Sequence, residues 1–391
     1  MIDKNNKKSK IKKKFFETAL FIIVFAGLGA VIGFLSASFF DDHIKSDNSL
    51  IEIIKLLGFI LIFFGGFIIH IIIHESGHLI FGLLSGYSFV SFRIGSFTII
   101  KEDKIKIRKF NIPGTAGQCL MMPPQLKDGK YPFVIYNYGG VIMNLVVSIT
   151  EILAVIYIKG IVYPLNVILI LSSISGIFAA ITNGIPLRIG GVSNDAHNVF
   201  SMIKDEEARR GFYLQLRVNG LMSQGERIKD MQREMFILKE GADLVNPLNT
   251  ALKLMEYNWY LDNLDFEGAR KCIESLTPYY NKIIPLFRNE IDCERIFLEL
   301  IGNCDKTFID RLYNKNLKKY IKAAKFMVSK KRLLMAYEGF YNKDKEKALK
   351  YYEELENLAK KYPLKGEAEM ELEIGRWMEE VIRDCLCCFS I

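Results

Sequence analysis

Cysteine is scarce in this chain and badly spaced for structural work: seven occur among 391 residues, and three of them crowd into the last seven positions, "CLCCFSI". Neither a disulfide framework nor a structural zinc ribbon is expected, and the thiols are read as free. The final four residues resemble a prenylation box at Cys388, a pattern too short to specify one. Long apolar runs are missing from about residue 200 onward, where Lys, Glu, Arg and Asp interrupt the apolar residues at helical spacing. A clear small-residue cleavage site is missing after the first apolar run, so that run reads as an uncleaved anchor and not as a signal peptide. The net charge of +8 comes in large part from the leader "MIDKNNKKSKIKKK". Nucleic acid is therefore not an expected partner, and anionic lipid headgroups suit the leader better.

Half of the residues are hydrophobic, and up to about residue 187 they fall in long runs. Four runs reach the roughly 20 residues needed to span a bilayer: Phe15 to Phe40, Ile51 to Leu84, Phe133 to Ile158, and Ile161 to Pro186. Cytoplasmic flanks carry the excess of Lys and Arg, which puts the amino terminus inside. Four crossings then place Asp41 to Ser49 outside, Lys101 to Phe110 inside, the turn near Lys159 outside, and the carboxyl-terminal half inside. The expected architecture is an α-helical polytopic membrane protein of about four spans with a small cytoplasmic β-hairpin, followed by an all-α, repeat-like soluble domain. Its segments are a leader at 1–14, an anchor at 15–40, a membrane-embedded core at 51–199 and a cytoplasmic helical domain at 200–391.

One of the most apolar stretches, "HIIIHESGHLIF", contains His74, Glu75 and His78 in an H-E-x-x-H pattern. On a helix, residues i and i+4 project to one side, so both imidazoles can grip a single metal ion. Glu75 flanks the ion, where a carboxylate can take a proton from water. A lone histidine on an apolar face is usually a packed core residue. Three ionisable groups within five positions at bilayer depth are too costly for that reading. A zinc site of this kind needs a third protein ligand and an open position. Both Asp195 and His197, in "ITNGIPLRIGGVSNDAHNVF", are candidates at a matching depth.

With those residues in view, the chain resembles the site-2 protease family of intramembrane zinc metalloproteases over about residues 51 to 200. The carriers are His74-Glu75-Ser76-Gly77-His78, then "YGGVIMN" with Gly139, Gly140 and Asn144, and then Asn183-Gly184-Ile185-Pro186 followed by Asp195. The resemblance implies Asp195 as third zinc ligand, Glu75 as catalytic base, and Asn144 and Asn183 as substrate-binding residues. This chain departs from the family pattern in the longer "LRIGGVSN" spacer, in Ala196 where glycine usually follows the aspartate, and in lacking a PDZ-like insert.

Between the second and third runs, "YSFVSFRIGSFTIIKEDKIKIRKF" alternates apolar and polar residues around a polar turn, which signals a hairpin. "TAGQCLMMPP" is read as turning the chain back to the membrane. His70, one turn before His74, is read as a helix-contact residue, and Glu151 as structural. In the carboxyl-terminal half, Tyr260 to Leu276 and Phe340 to Leu358 look related, each placing an alanine, Ala269 or Ala348, where helices would pack closely. They resemble tetratricopeptide pairs without a clean 34-residue period. A stacked array there would give a peptide or partner protein a concave face.

The resulting expectation is a Zn2+-dependent endopeptidase acting on a membrane-bound regulator or a small precursor peptide in a cell membrane. The competing expectation is a catalytically silent, zinc-containing receptor that recruits partners through its helical half.

Overall fold

The computed structural model describes residue 26 and residues 48–101, 104–110, 115–189 and 192–384. The leader, the first apolar run apart from residue 26, Gly190-Gly191 and the "CLCCFSI" tail lie outside the described residues. The chain divides into two compact units: Met1–Ser85 with Pro132–Phe200, and Gly86–Tyr131 with Ser201–Ile391.

The first unit is built on three helices, α1 (Ser49–Leu84), α2 (Phe133–Tyr157) and α3 (Leu165–Gly184). Each is long and apolar enough to cross a membrane, in keeping with a membrane protein. The Asn48 side chain caps α1 by accepting from the Leu50 N–H. The helix stops where Gly86 adopts a positive φ of 84°. Small residues bring the helices together: a Cβ on Gly66 would stand 3.0 Å from Ser172 Cα, and Ser175 Oγ donates to the Phe63 carbonyl at 2.8 Å. Leu61, Phe64, Ile68, Ile149 and Leu153 are exposed, whereas His70, Asn144, Ser148 and Ser175 are buried. That apolar-out, polar-in arrangement is the inverse of a water-soluble bundle and suits a lipid surround. Beyond α3, β5 (Arg188–Ile189) and β6 (Val192–Ser193) pair antiparallel, and α4 (Asp195–Lys204) begins directly afterwards.

The second unit opens with a four-stranded antiparallel sheet in the order β3-β2-β1-β4, formed by β1 (Ser88–Ile94), β2 (Phe97–Lys101), β3 (Ile105–Lys109) and β4 (Gly117–Met122). The expected hairpin is β2 with β3, aligned Ile99 to Ile107. The sheet is larger than a hairpin, because "GQCLMM" pairs with β1 as a fourth strand, aligned Phe92 to Cys119. Its alternation buries Cys119 and Met121. Gly220 on α5 (Glu206–Gln224) lets that helix approach Met122, which a Cβ at 220 would meet at 2.9 Å.

The remaining helices are short and amphipathic: α6 (Pro247–Asp262), α7 (Phe266–Glu274), α8 (Pro285–Ile301), α9 (Lys306–Leu312), α10 (Lys315–Ala323), α11 (Val328–Ala336), α12 (Lys345–Ala359) and α13 (Lys365–Asp384). One joint recurs among them. Asn263-Leu264-Asp265, Asn303-Cys304-Asp305 and Asn342-Lys343-Asp344 each put their middle residue in the left-handed region, at φ 56°, 53° and 59°. Each then uses the aspartate to cap the next helix. Four residues past each cap stands a fully buried Ala269, Ile309 or Ala348. The joints sit at positions 264, 304 and 343, so this half carries a local repeat of close to 40 residues.

Candidate metal centre

His74 and His78 face the same side of α1, and a sequence-distant aspartate meets them there. His74 Nε2 lies 3.0 Å from Asp195 Oδ2, His78 Nε2 lies 3.5 Å from the same oxygen, and the two ring nitrogens are 3.1 Å apart. Donors each about 2.0–2.2 Å from a shared tetrahedral ion stand roughly 3.3–3.5 Å from one another, so this set fits a divalent metal of the zinc type. The rings cross at 87°, which turns both Nε2 atoms to one point. His78 Nδ1–H donates to the Tyr136 carbonyl at 2.8 Å, and the proton held there leaves the Nε2 lone pair free to ligate. His74, His78 and Asp195 are grouped closely enough to hold one ion.

Glycines let α2 come this close. A Cβ on Gly139 would stand 2.6 Å from the Gly77 carbonyl oxygen, and one on Gly140 would stand 2.5 Å from the His74 ring. The His74 imidazole therefore rests directly on backbone.

Asp195 is placed by the residue before it. Pro186 has no N–H to continue α3, which leaves carbonyls near the helix end in need of donors. The Asn194 amide supplies them, donating to Thr182 O at 2.7 Å and Ile185 O at 2.6 Å, while its Oδ1 accepts from the Leu187 and His197 N–H groups. Asn194 thus joins the end of α3 to the start of α4 and caps α4, with Asp195 in the first turn, where the helix dipole favours an anion.

Of the other residues singled out in the sequence, Glu75 is half-buried on the same turn as His74. Asn144 is fully buried with its amide nitrogen 3.4 Å from His74 Nδ1. Asn183 donates to the Ala179 carbonyl of its own helix, 3.0 Å away. His197 is held through its backbone by Asn194 and is not one of the three grouped residues. Sequence reasoning passed over Asn194, although an asparagine just before an amphipathic run is a standard cap signal. No protein-family model matches the chain, and neither a curated protein nor a solved structure matches it.

Proposed function

We propose that the chain is an intramembrane zinc-dependent endopeptidase of the site-2 protease kind, cutting a membrane-bound regulator or a small precursor peptide. The observation that carries this reading is the convergence of His74 Nε2, His78 Nε2 and Asp195 Oδ2, with Glu75 adjoining, on a helix long and apolar enough to cross a membrane. Those three side chains are the proposed holders of the ion. When bound, zinc supplies the Lewis acidity that makes water nucleophilic near neutral pH and polarises a carbonyl.

The remaining work falls to the chain. Glu75 takes the proton of the attacking water and returns it to the departing amine. The Tyr136 carbonyl keeps the His78 lone pair turned inward, and the Gly140 backbone fixes the plane of His74. A helical substrate hides its carbonyls in its own hydrogen bonds, so it unwinds locally before attack. A silent receptor with a structural zinc would need the histidines but not the base, and Glu75 therefore favours the enzyme. The same proposal includes a fourth span ahead of α1, cytoplasmic termini and a cell-membrane location, for which the basic leader is the support. It also includes a peptide or protein partner on the helical half, supported by the recurring Asn-x-Asp joints.

The test compares the membrane proteome and secreted peptides of cells carrying the wild type, Glu75→Gln or a deletion. A membrane protein or precursor peptide left uncut in the Glu75→Gln cells, as in the deletion, supports the protease and names its substrate. Matching wild-type and Glu75→Gln profiles beside an altered deletion profile would transfer the reading to a binding protein.

A further inference from the structure

A file of polar side chains runs through the three-helix unit away from His74. His70, one turn earlier on α1 and fully buried, has Nδ1 3.1 Å from Asn144 Oδ1, and the other amide atom of Asn144 faces His74 Nδ1. On its far side, His70 Nε2 lies 3.7 Å from Glu151 Oε2. The second oxygen of Glu151 accepts from Ser172 Oγ on α3 at 2.8 Å. Gly176 opens the space for this, since a Cβ there would collide with both His70 and Ser148. Ionisable groups in such an apolar surround are expensive, and packing does not require them.

We propose that His70 and Glu151 are positioning residues that act through Asn144 to set which ring nitrogen of His74 is free to ligate. The inference rests on reading His74 as a metal ligand. For His74 to ligate through Nε2, its proton must sit on Nδ1, facing Asn144, and the asparagine must present its oxygen there. The amide NH2 then faces His70 Nδ1, which must accept, so His70 carries its proton on Nε2 and aims it at the Glu151 carboxylate. Ser172 donates to the other carboxylate oxygen and completes the file. In this single direction every donor faces an acceptor, and only the His70–Glu151 pair, 3.7 Å apart, is a charge contact and not a hydrogen bond. In the opposite direction, the one in which the amide stands in this structure with its NH2 facing His74 and its oxygen facing His70, the His74 proton moves to Nε2 and competes with metal for the same lone pair. A half-turn of the Asn144 amide interchanges the two without displacing its neighbours. The negative charge of Glu151 selects the direction that favours ligation, because it attracts the proton of His70 to Nε2.

The experiment measures zinc affinity of the purified full chain in detergent, by competition with a chromophoric chelator. Wild type is expected to bind one zinc and His74→Ala none. Glu151→Gln and His70→Ala should each weaken binding about 10- to 100-fold with one site retained, and Glu151→Asp should recover part of the loss. Because the effect passes through Asn144, adding Glu151→Gln to Asn144→Ala should change affinity less than about twofold, whereas a merely structural role would add in full. Wild-type affinity in Glu151→Gln, or full additivity with Asn144→Ala, overturns this proposal and leaves the metal reading standing. If Glu151→Gln does not fold, His70→Gln decides on the same criteria. Absence of zinc from the wild type, or its retention in His74→Ala, removes the metal reading and this proposal together.

Discussion

Asn194 donates its side-chain amide to the Ile185 carbonyl at 2.6 Å, bridging the loop that Pro186 opens at the end of α3. The same side chain caps α4, so the position of Asp195 depends on it. Asn194→Ala removes the cap and strands carbonyls, a loss of about 1–3 kcal/mol. Thermal unfolding should fall accordingly and zinc affinity should drop with it. Asn194→Asp keeps the cap but cannot donate, and should fall between. Unchanged zinc affinity in the alanine variant would show that Asp195 is placed by something else.

The two halves of H-E-x-x-H should separate by metal content. His74→Ala is expected to lose zinc, while Glu75→Gln retains it and loses cleavage by roughly 10²- to 10⁴-fold. Elemental analysis of the purified variants checks this, and a full zinc complement in His74→Ala would sink the ligand assignment.

Gly140→Ala tests the contact between α2 and the cluster of His74, His78 and Asp195. The new methyl would stand 2.5 Å from the His74 ring, so either the ring or the helix must shift. Overpacking of this kind costs about 1–3 kcal/mol. The variant should melt lower and bind zinc more weakly, whereas Gly58→Ala near the start of α1, with open space around it, should do neither.

Glu367, in the second unit, makes stability depend on pH. Burial, reinforced by the charge of Glu371, pushes its carboxyl from an ordinary 4.5 up to about 8. It lines a cavity of about 270 Å³ beside Tyr362, whose hydroxyl donates to it at 3.3 Å. The folded chain therefore holds a proton that the unfolded chain has released above about pH 4.5. The contribution is complete below that pH and is lost as pH rises through 8. Glu367→Gln should remove that decline. Melting curves at pH 5, 6.5 and 8 should show the variant gaining on the wild type as pH rises, and parallel pH dependences would contradict the assignment.

The long apolar helices α1 to α3 were legible because length and apolar content suffice to mark them, and the two histidines because a fixed i to i+4 spacing has geometric meaning. The β2–β3 hairpin was legible from its alternation. Strand β4 was not: Gln118, Cys119, Leu120 and Met121 lack the β-branched and aromatic residues that announce strands, and only pairing with β1 reveals them. Asn183, a site residue by its motif, has its amide nitrogen bonded to its own helix at Ala179. His70 and Glu151 lie 81 positions apart, and their meeting depends on how α1 and α2 pack, which no local pattern records. The third Asn-x-Asp joint escaped notice because Ile309 stands where the other two have alanine.

Helix α1 has 36 residues, about 54 Å at 1.5 Å per residue, against a hydrocarbon layer of roughly 30 Å. His78 lies only six residues from its end at Leu84, about 9 Å along the axis. The cluster therefore lies toward the carboxyl-terminal end of the rod, with His74 ten residues from that end, about 15 Å along the axis. A hydrocarbon layer of roughly 30 Å drawn over the last part of the rod would put His74 near its middle, and one drawn over the first part would leave His74 outside it, so the depth of the cluster is set by which stretch of this overlong helix the lipid covers.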